Sequence, residues 1–362
     1  MARLTPTRDS GFSLIEVLAS VGLTALAGTA AMGLAHHGAA AALVQPAFAD
    51  AQQRTRVGSD ALFNDLLSAG AGIDAAGDGT LARFFPPVLP RRLGGPAPDA
   101  RHIARGDVLS IVSLPPAAPQ SKLGGPLAPG ADLPVDTGEP RCRHARPLCG
   151  FVTSDTALVF DHTGRFTLLE LQAIGPSSAS ARLLHPSVSH VFQAGDPVGR
   201  GQVRVYYFDA VQSQLRLADA YRSDIPLLDD VVGVSFEYLG EPAPPEYPRP
   251  PLGVANCLFD AAGAPISGLA DLRTPGGPTV VPLPLEMLAD GPWCGQGGIE
   301  FDADLLRVRR IGIRLRVQAP GASVRGTGPE FARPGTARSG LRTVPDVAVR
   351  IDVSPANLQV SR

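Results

Sequence analysis

The sequence predicts an α+β protein. A long N-terminal helix, membrane-spanning in its first part, packs on an antiparallel β-sheet domain that long Gly/Pro-rich loops interrupt. Three observations predict this. Val17 to Ala35 carry no charge, and at about 1.5 Å per residue such a helix nearly matches the hydrocarbon thickness of a bilayer. Further along, several stretches alternate apolar and polar residues with period two, the pattern of half-buried strands. Between them lie segments rich in glycine (40 residues) and proline (36), which leave little room for other long helices in the 362-residue chain.

At this length the chain holds one large domain or two. Its formal charge is −2, from 32 basic and 34 acidic side chains. That balance gives no reason to expect a nucleic-acid partner. Loss of residues 1–11 would remove Arg3, Arg8 and Asp9 and leave −3.

Residues 1–11 form a short polar leader, and residues 12–35 the membrane helix. Glu16 stands at the front of the apolar run, where a carboxylate costs about 2.5–3.5 kcal/mol on insertion scales and less near an interface. It therefore needs a reason to be there. Ala19, Gly22, Ala25, Gly28 and Ala31 are small enough to let helices approach closely in lipid. His36 and His37 follow. Adjacent helical residues point about 100° apart, so the pair reads as interfacial polar residues rather than a metal site. Residues 36–72 read as an amphipathic continuation, with a kink expected at Pro46. Phe48, Leu62, Phe63, Leu66 and Leu67 supply its apolar side, and Gly70 and Gly72 end it.

Residues 73–362 read as a globular β-rich domain with insertions at 115–150 and 239–300. Residues 73–105 are a loop, and 106–112 a strand entered from a turn. Residues 115–150 read as a surface excursion. Short strands are expected at 157–161, 166–173, 180–184 and 189–193. Residues 202–209 alternate, with Val203, Val205 and Tyr207 on one face, and 214–218 complete a hairpin. In the strand that follows the acidic turn Asp229-Asp230, Val232, Val234, Phe236 and Tyr238 share a face. Residues 239–300 form a loop long enough to suggest a function of its own. Residues 305–318 set Ile311, Ile313, Leu315 and Val317 against Arg310, Arg314 and Arg316. Residues 319–343 are a loop and 344–353 the last strand.

The four cysteines, Cys142, Cys149, Cys257 and Cys294, all lie beyond the membrane helix. An even number in an exported chain predicts disulfides. Cys142–Cys149 would close a small loop and Cys257–Cys294 a long one. Four cysteines allow three pairings, and the sequence does not choose among them. No CxxC spacing or paired histidines support zinc.

Little else points to chemistry. Asp302 and Asp304 read as a solvated turn rather than calcium ligands, because the oxygens of a full shell are not visible. Asp229 and Asp230 likewise read as a turn. No Walker lysine follows the Gly-Gly pairs, and there is no Gly-x-Ser-x-Gly elbow. His102, His144, His162, His185 and His190 are scattered. No enzyme, cofactor or metal is expected.

The stretch Gly11-Phe12-Ser13-Leu14-Ile15-Glu16 resembles the type IV prepilin signal at Gly11, Phe12, Leu14, Ile15 and Glu16. An ordinary secretory signal is cut after its apolar region. The cut implied here, between Gly11 and Phe12, precedes that region and leaves the helix on the mature chain. The resemblance implies a prepilin peptidase as partner, N-methylation of Phe12, and an assembly role for Glu16 beside a neighbouring subunit's N-terminus. A carboxylate and an ammonium attract far more strongly in low dielectric than in water.

Other stretches are similar to PilW-type minor pilins. They are Asp65 to Gly72 (with Leu67 where an arginine is common), residues 106–112, the acidic turn with its strand, and Pro355-Ala356-Asn357-Leu358. The resemblance implies a pilin-like fold and a minor pilin in the assembly, initiation or tip of a type IV pilus. The alternatives are a J-type minor pseudopilin of a type II secretion system, or a tethered adhesin or receptor using the same export route. The large, insertion-bearing domain favours a rare tip subunit over a repeating one. The implied place is the bacterial inner membrane, single-pass with the bulk periplasmic, and then the pilus or cell surface. The other implied partners are pilins met through the N-terminal helix.

Overall fold

The computed structural model describes residues 11–72, 79–94, 98–140, 142, 147–184, 190–219, 222–266, 268–338 and 343–359. The leader before Gly11, His144, His185 and Ser189 lie outside the described residues, as do the side chains of His36 and His37. The chain is α+β: one long helix, α1 (Leu14–Leu67), and a set of antiparallel sheets. It divides into two compact units, one holding residues up to 51 with 319–346, the other 52–318 with the residues from 347 onward.

In the first unit, α1 is alanine-rich, which favours helix, and it is helical on both sides of Pro46. Residues 319–338 and 343–346 form a loop. A 3-10 turn at Ala322–Val324 is tied back by Thr336 N–H donating to Ala322 O (2.7 Å) and Val344 N–H donating to Val324 O (2.7 Å). Phe331 and Val344 are buried.

In the second unit, α1 buries Thr55, Gly58, Leu62 and Leu66, a stripe at spacings of three and four. This corrects the expected apolar side, since Phe63 and Leu67 stay exposed, as does Phe48 further up the helix. Gly58 permits a close approach: a Cβ there would lie 2.2 Å from Leu228 Cδ1. The helix exits through Gly70 (φ 73°) and Gly72 (φ 121°), both in the left-handed region that glycine tolerates. The exit is then stitched to the sheet. Gly70 N–H donates to Val112 O (3.0 Å), and Leu114 N–H to Ala71 O (2.8 Å).

The strands are β1 (Val88–Leu89), β2 (Val108–Ser113), β3 (Gln120–Lys122), β4 (Leu133–Pro134), β5 (Thr156–Phe160) and β6 (Phe166–Ile174). They continue with β7 (Ser178–Leu183), β8 (Pro197–Arg200), β9 (Gln202–Asp209), β10 (Gln214–Asp219), β11 (Ser223–Leu228) and β12 (Val231–Gly240). The last are β13 (Val281–Leu283), β14 (Trp293–Cys294), β15 (Phe301–Asp302), β16 (Val308–Val317) and β17 (Val347–Val353). One sheet runs β1-β2-β9-β10-β11, a second β13-β12-β16-β17, and β14 pairs with β15.

A third sheet runs β3-β8-β5-β6-β7-β4. Its two edges meet through the pairing of Leu123 with Val135, and Asp136 N–H donates to Lys122 O (2.9 Å). The sheet thereby closes into a six-stranded barrel. Both closing strands come from residues 115–150. That segment is therefore not a surface excursion: it buries Leu123, Leu127, Leu133, Val135 and Leu148 in the barrel's own core. The expected strand at 189–193 reduces to a single bridge, Phe192 with Leu127, and the strand forms at β8 instead.

The barrel interrupts a hairpin. Ser113 at the end of β2 pairs with Gln202 at the start of β9, so residues 114–201 leave and return at one point. The β5–β6 hairpin serves two cores. Val159 and Leu169 face the barrel interior, while Leu158, Phe160, Phe166 and Leu168 join the main core. There Phe85 stacks on Phe166 (4.3 Å between centroids) and Phe84 meets Phe160 edge-on (4.8 Å).

Residues 241–307 interrupt the β12–β16 hairpin in the same way, leaving after Gly240, which pairs with Val308. This stretch is not structureless. It holds β13, β14 and β15 and places Leu258, Phe259, Leu288 and Ile299 in the main core. In β12 the register shifts between Val231 and Gly233, so Val231 rather than Val232 joins Val234, Phe236 and Tyr238 in the core.

Candidate functional site

The N-terminal segment is built around the start of α1. Gly11, Phe12 and Ser13 precede the helix, and Phe12 is 87% exposed. Ser13 is the N-cap. Its Oγ accepts from Glu16 N–H (3.3 Å), and its own N–H donates to Glu16 Oε2 (2.9 Å). Ser13 O is also the first acceptor of the helix, taking the N–H groups of Glu16 (3.1 Å) and Val17 (3.2 Å). This reciprocal pair is a capping box, and its Ser-x-x-Glu spacing ahead of an apolar run was readable in the sequence. Glu16 thus has a partner within its own chain, on the first turn of the helix.

Beyond it, Leu14–Ala35 is long and apolar enough to cross a membrane, and none of it is buried. Its hydroxyls are satisfied locally. Ser20 donates to Val17 O (2.9 Å), Thr24 to Ser20 O (2.7 Å) and Thr29 to Leu26 O (2.9 Å). This lowers the penalty of carrying them into an apolar medium. Gly22, Gly28 and Gly33 have open space around them.

The lower half of the helix is locked to the sheets by charged contacts. Tyr206 donates its hydroxyl to Asp65 Oδ2 (2.6 Å), and burial holds that phenol protonated well above its usual range. Arg54 pairs with Asp230 (2.7 Å) and donates to Asp229 O (3.2 Å), while Gln214 donates to Asp229 Oδ1 (2.8 Å). The acidic turn is therefore a clasp on the helix. At the helix end, Thr80 donates to Asn357 O (2.7 Å), so the Pro355–Leu358 segment closes over the exit.

The cysteines form two disulfides, Cys142–Cys149 and Cys257–Cys294. The first closes a short loop beside the barrel core, and the second ties two ends of the long insertion.

The expected solvated turn at Asp302 and Asp304 is instead buried. Asp302 accepts from Asp304 N–H (2.8 Å) and Gly291 N–H (2.5 Å). Asp304 Oδ1 lies 2.6 Å from Nε of Arg307, which is fully buried. Arg307 also donates to Ala270 O (2.7 Å) and Pro242 O (3.1 Å), riveting the insertion to the base of its hairpin. Burial disfavours charge on both partners. It pushes the Asp304 carboxyl up to about 7 and lowers Arg307, while their mutual attraction opposes each shift. Asp290 completes a group of three carboxylates whose oxygens lie within 4.8 Å of one another. Both oxygens of Asp302 are already engaged by backbone donors, and Asp304 is engaged by Arg307. The arrangement works as a polar rivet.

The described histidines serve local contacts. His190 lies 3.0 Å from Asp161 and 3.1 Å from Arg165. His102 stacks on Trp293 (3.7 Å between centroids) and meets Glu300 (3.2 Å). An open cleft of about 590 Å³ is walled by Pro242, Pro244, Pro245, Tyr247 and Pro278, with the Glu241–Arg309 ion pair (3.0 Å) on its lining. Gly11, Phe12 and Glu16 lie together at the start of α1, and the expected cysteines meet in two pairs. Compared with known proteins, the chain matches no family model and no curated protein.

Proposed function

We propose that this chain is a minor pilin-like assembly protein. A prepilin peptidase cuts it between Gly11 and Phe12, and the mature chain carries a methylated Phe12 at the head of a membrane-spanning helix. The observation that carries this reading is the Gly11-Phe12 step, outside the helix and two residues ahead of Leu14, followed by Glu16 on the first turn of a 22-residue apolar span. The capping box gives this carboxylate a partner in any such helix, and in a bundle of like helices it can also pair with a neighbour's terminal ammonium.

In this reading the protein sits in the inner membrane with its sheets in the periplasm, and other pilins meet it through residues 12–35. The two hairpin insertions, at 114–201 and 241–307, support a low-copy place at the tip or in initiation. Repeated along a filament, they would crowd their neighbours.

The test is mass spectrometry of the full chain expressed with a prepilin peptidase. The expected mature chain begins at N-methylated Phe12. An intact Met1, or a cut beyond Ala35, overturns the reading.

A further inference from the structure

We propose that Ser13 is a positioning residue for processing: by capping α1 it keeps the Gly11–Phe12 bond outside the helix, where a peptidase can reach it. The inference rests on the prepilin reading above and adds a requirement to it.

A peptidase needs the scissile carbonyl free of helical hydrogen bonding. In an α-helix that includes residue 11, the Gly11 carbonyl would accept from the N–H of Ile15. In the structure the first helical acceptor is Ser13 O, and Gly11 and Phe12 stand outside. Phe12 is almost fully exposed, and nothing lies within 4 Å of where a Gly11 Cβ would be. The boundary is set by the Ser13–Glu16 box, because only a residue with non-helical backbone can place its own oxygen on the N–H groups of the first turn.

The sequence upstream makes that boundary matter. Alanine at 13 is a poor cap and a good helix former. The next hydroxyl toward the N-terminus is Ser10. A helix capped at Ser10 would take the Gly11–Phe12 bond into its first turn. Ser13 therefore chooses between two helix starts, one that presents the bond and one that encloses it. Glu16 acts on the same choice through the Ser13 N–H, before any role it has toward another subunit.

The experiment follows cleavage of the full-length precursor in membranes holding a prepilin peptidase, by the mass of the N-terminus over time. Ser13→Ala should be cut about fivefold more slowly, the typical effect of losing one cap. Ser13→Thr and Ser13→Asp should stay within about twofold of wild type, since both cap. Glu16→Gln should be cut like wild type, because glutamine completes the box. The aspartate variant separates capping from direct recognition of the hydroxyl by the enzyme, which would reject a carboxylate. Ser13→Ala cut at the wild-type rate, or Ser13→Asp as slow as Ser13→Ala, overturns the inference while leaving the prepilin reading intact. Absence of a Gly11–Phe12 cut in the wild-type chain overturns that reading itself, and this inference with it.

Discussion

Arg307→Met should destabilise the second unit by about 3–5 kcal/mol, the range for breaking a buried ion pair from one side. The side chain is fully buried, and its three contacts end on Asp304, Ala270 O and Pro242 O. Methionine fills much of the same volume, so the loss is polar rather than a cavity. A charged hydrogen bond contributes roughly 1.5–3 kcal/mol. The full sum is not reached, because Pro242 borders the open cleft and its carbonyl regains water. Asp304 has a different escape, by taking a proton.

That escape makes the effect depend on pH. The folded carboxyl stands at about 7 against about 3.9 when unfolded. A carboxyl raised on folding binds more protons in the native state, so its contribution is greatest below about pH 4 and is lost as pH rises to 7. Without Arg307 the carboxyl climbs further, and the loss continues above pH 7, where wild type has levelled. The assay is urea unfolding of the detergent-solubilised full chain by circular dichroism at pH 5, 7 and 8.5. The deficit of Arg307→Met should widen with pH. Adding Asp304→Leu should recover at least about 1 kcal/mol relative to additivity. A deficit below about 0.5 kcal/mol at pH 8.5, or one independent of pH, would refute the rivet.

Glu16→Ala should still be cut at Gly11–Phe12, since Ser13 keeps its own Oγ for the residue-16 N–H, and should still reside in the membrane. It should not co-purify with sheared filaments, and Glu16→Gln should fail nearly as badly; normal assembly of both defeats charge pairing as the mechanism. Non-reducing peptide mapping should return Cys142–Cys149 and Cys257–Cys294, and four free thiols would contradict it. Their loop lengths (separations of 7 and 37 residues) predict that opening them by Cys→Ser pairs costs about 2.5 and about 3.9 kcal/mol respectively. Equal losses, or a larger one for the short loop, would put the stabilisation elsewhere.

What the sequence made legible was what repeats locally. Val17 to Ala35 announces itself by lacking charge. β16 shows period two because one face is buried and the other carries arginines such as Arg310 and Arg314. The barrel's closing strands were hidden because β3 and β4 are two or three residues long and hold their place through distant partners. β8 and β11 contain Pro197, Gly199 and Pro226, which argue against strand until the pairing is known. The bulge at Val231 moved one core residue by a single position, a shift that alternation alone does not reveal. Asp302 and Asp304 looked solvated because nothing near them in sequence shows that Arg307 is buried alongside. The Ser13–Glu16 box is plainly written, as Ser-x-x-Glu ahead of an apolar run.

The paired ends of the barrel have a kinetic consequence. To join β2 and β9 directly, the chain must bring Ser113 to Gln202 across residues 114–201, and the length-dependent entropy of that closure is about 4 kcal/mol. A barrel that forms first absorbs most of this internally and hands the main sheet two ends already side by side. The long-range pairing then behaves as a short one. The two cores also share one hairpin, since Leu158, Phe160, Phe166 and Leu168 join the main core from the paired strands β5 and β6. Residues far from both strands, in the barrel's interior, should thus set how fast the main sheet assembles.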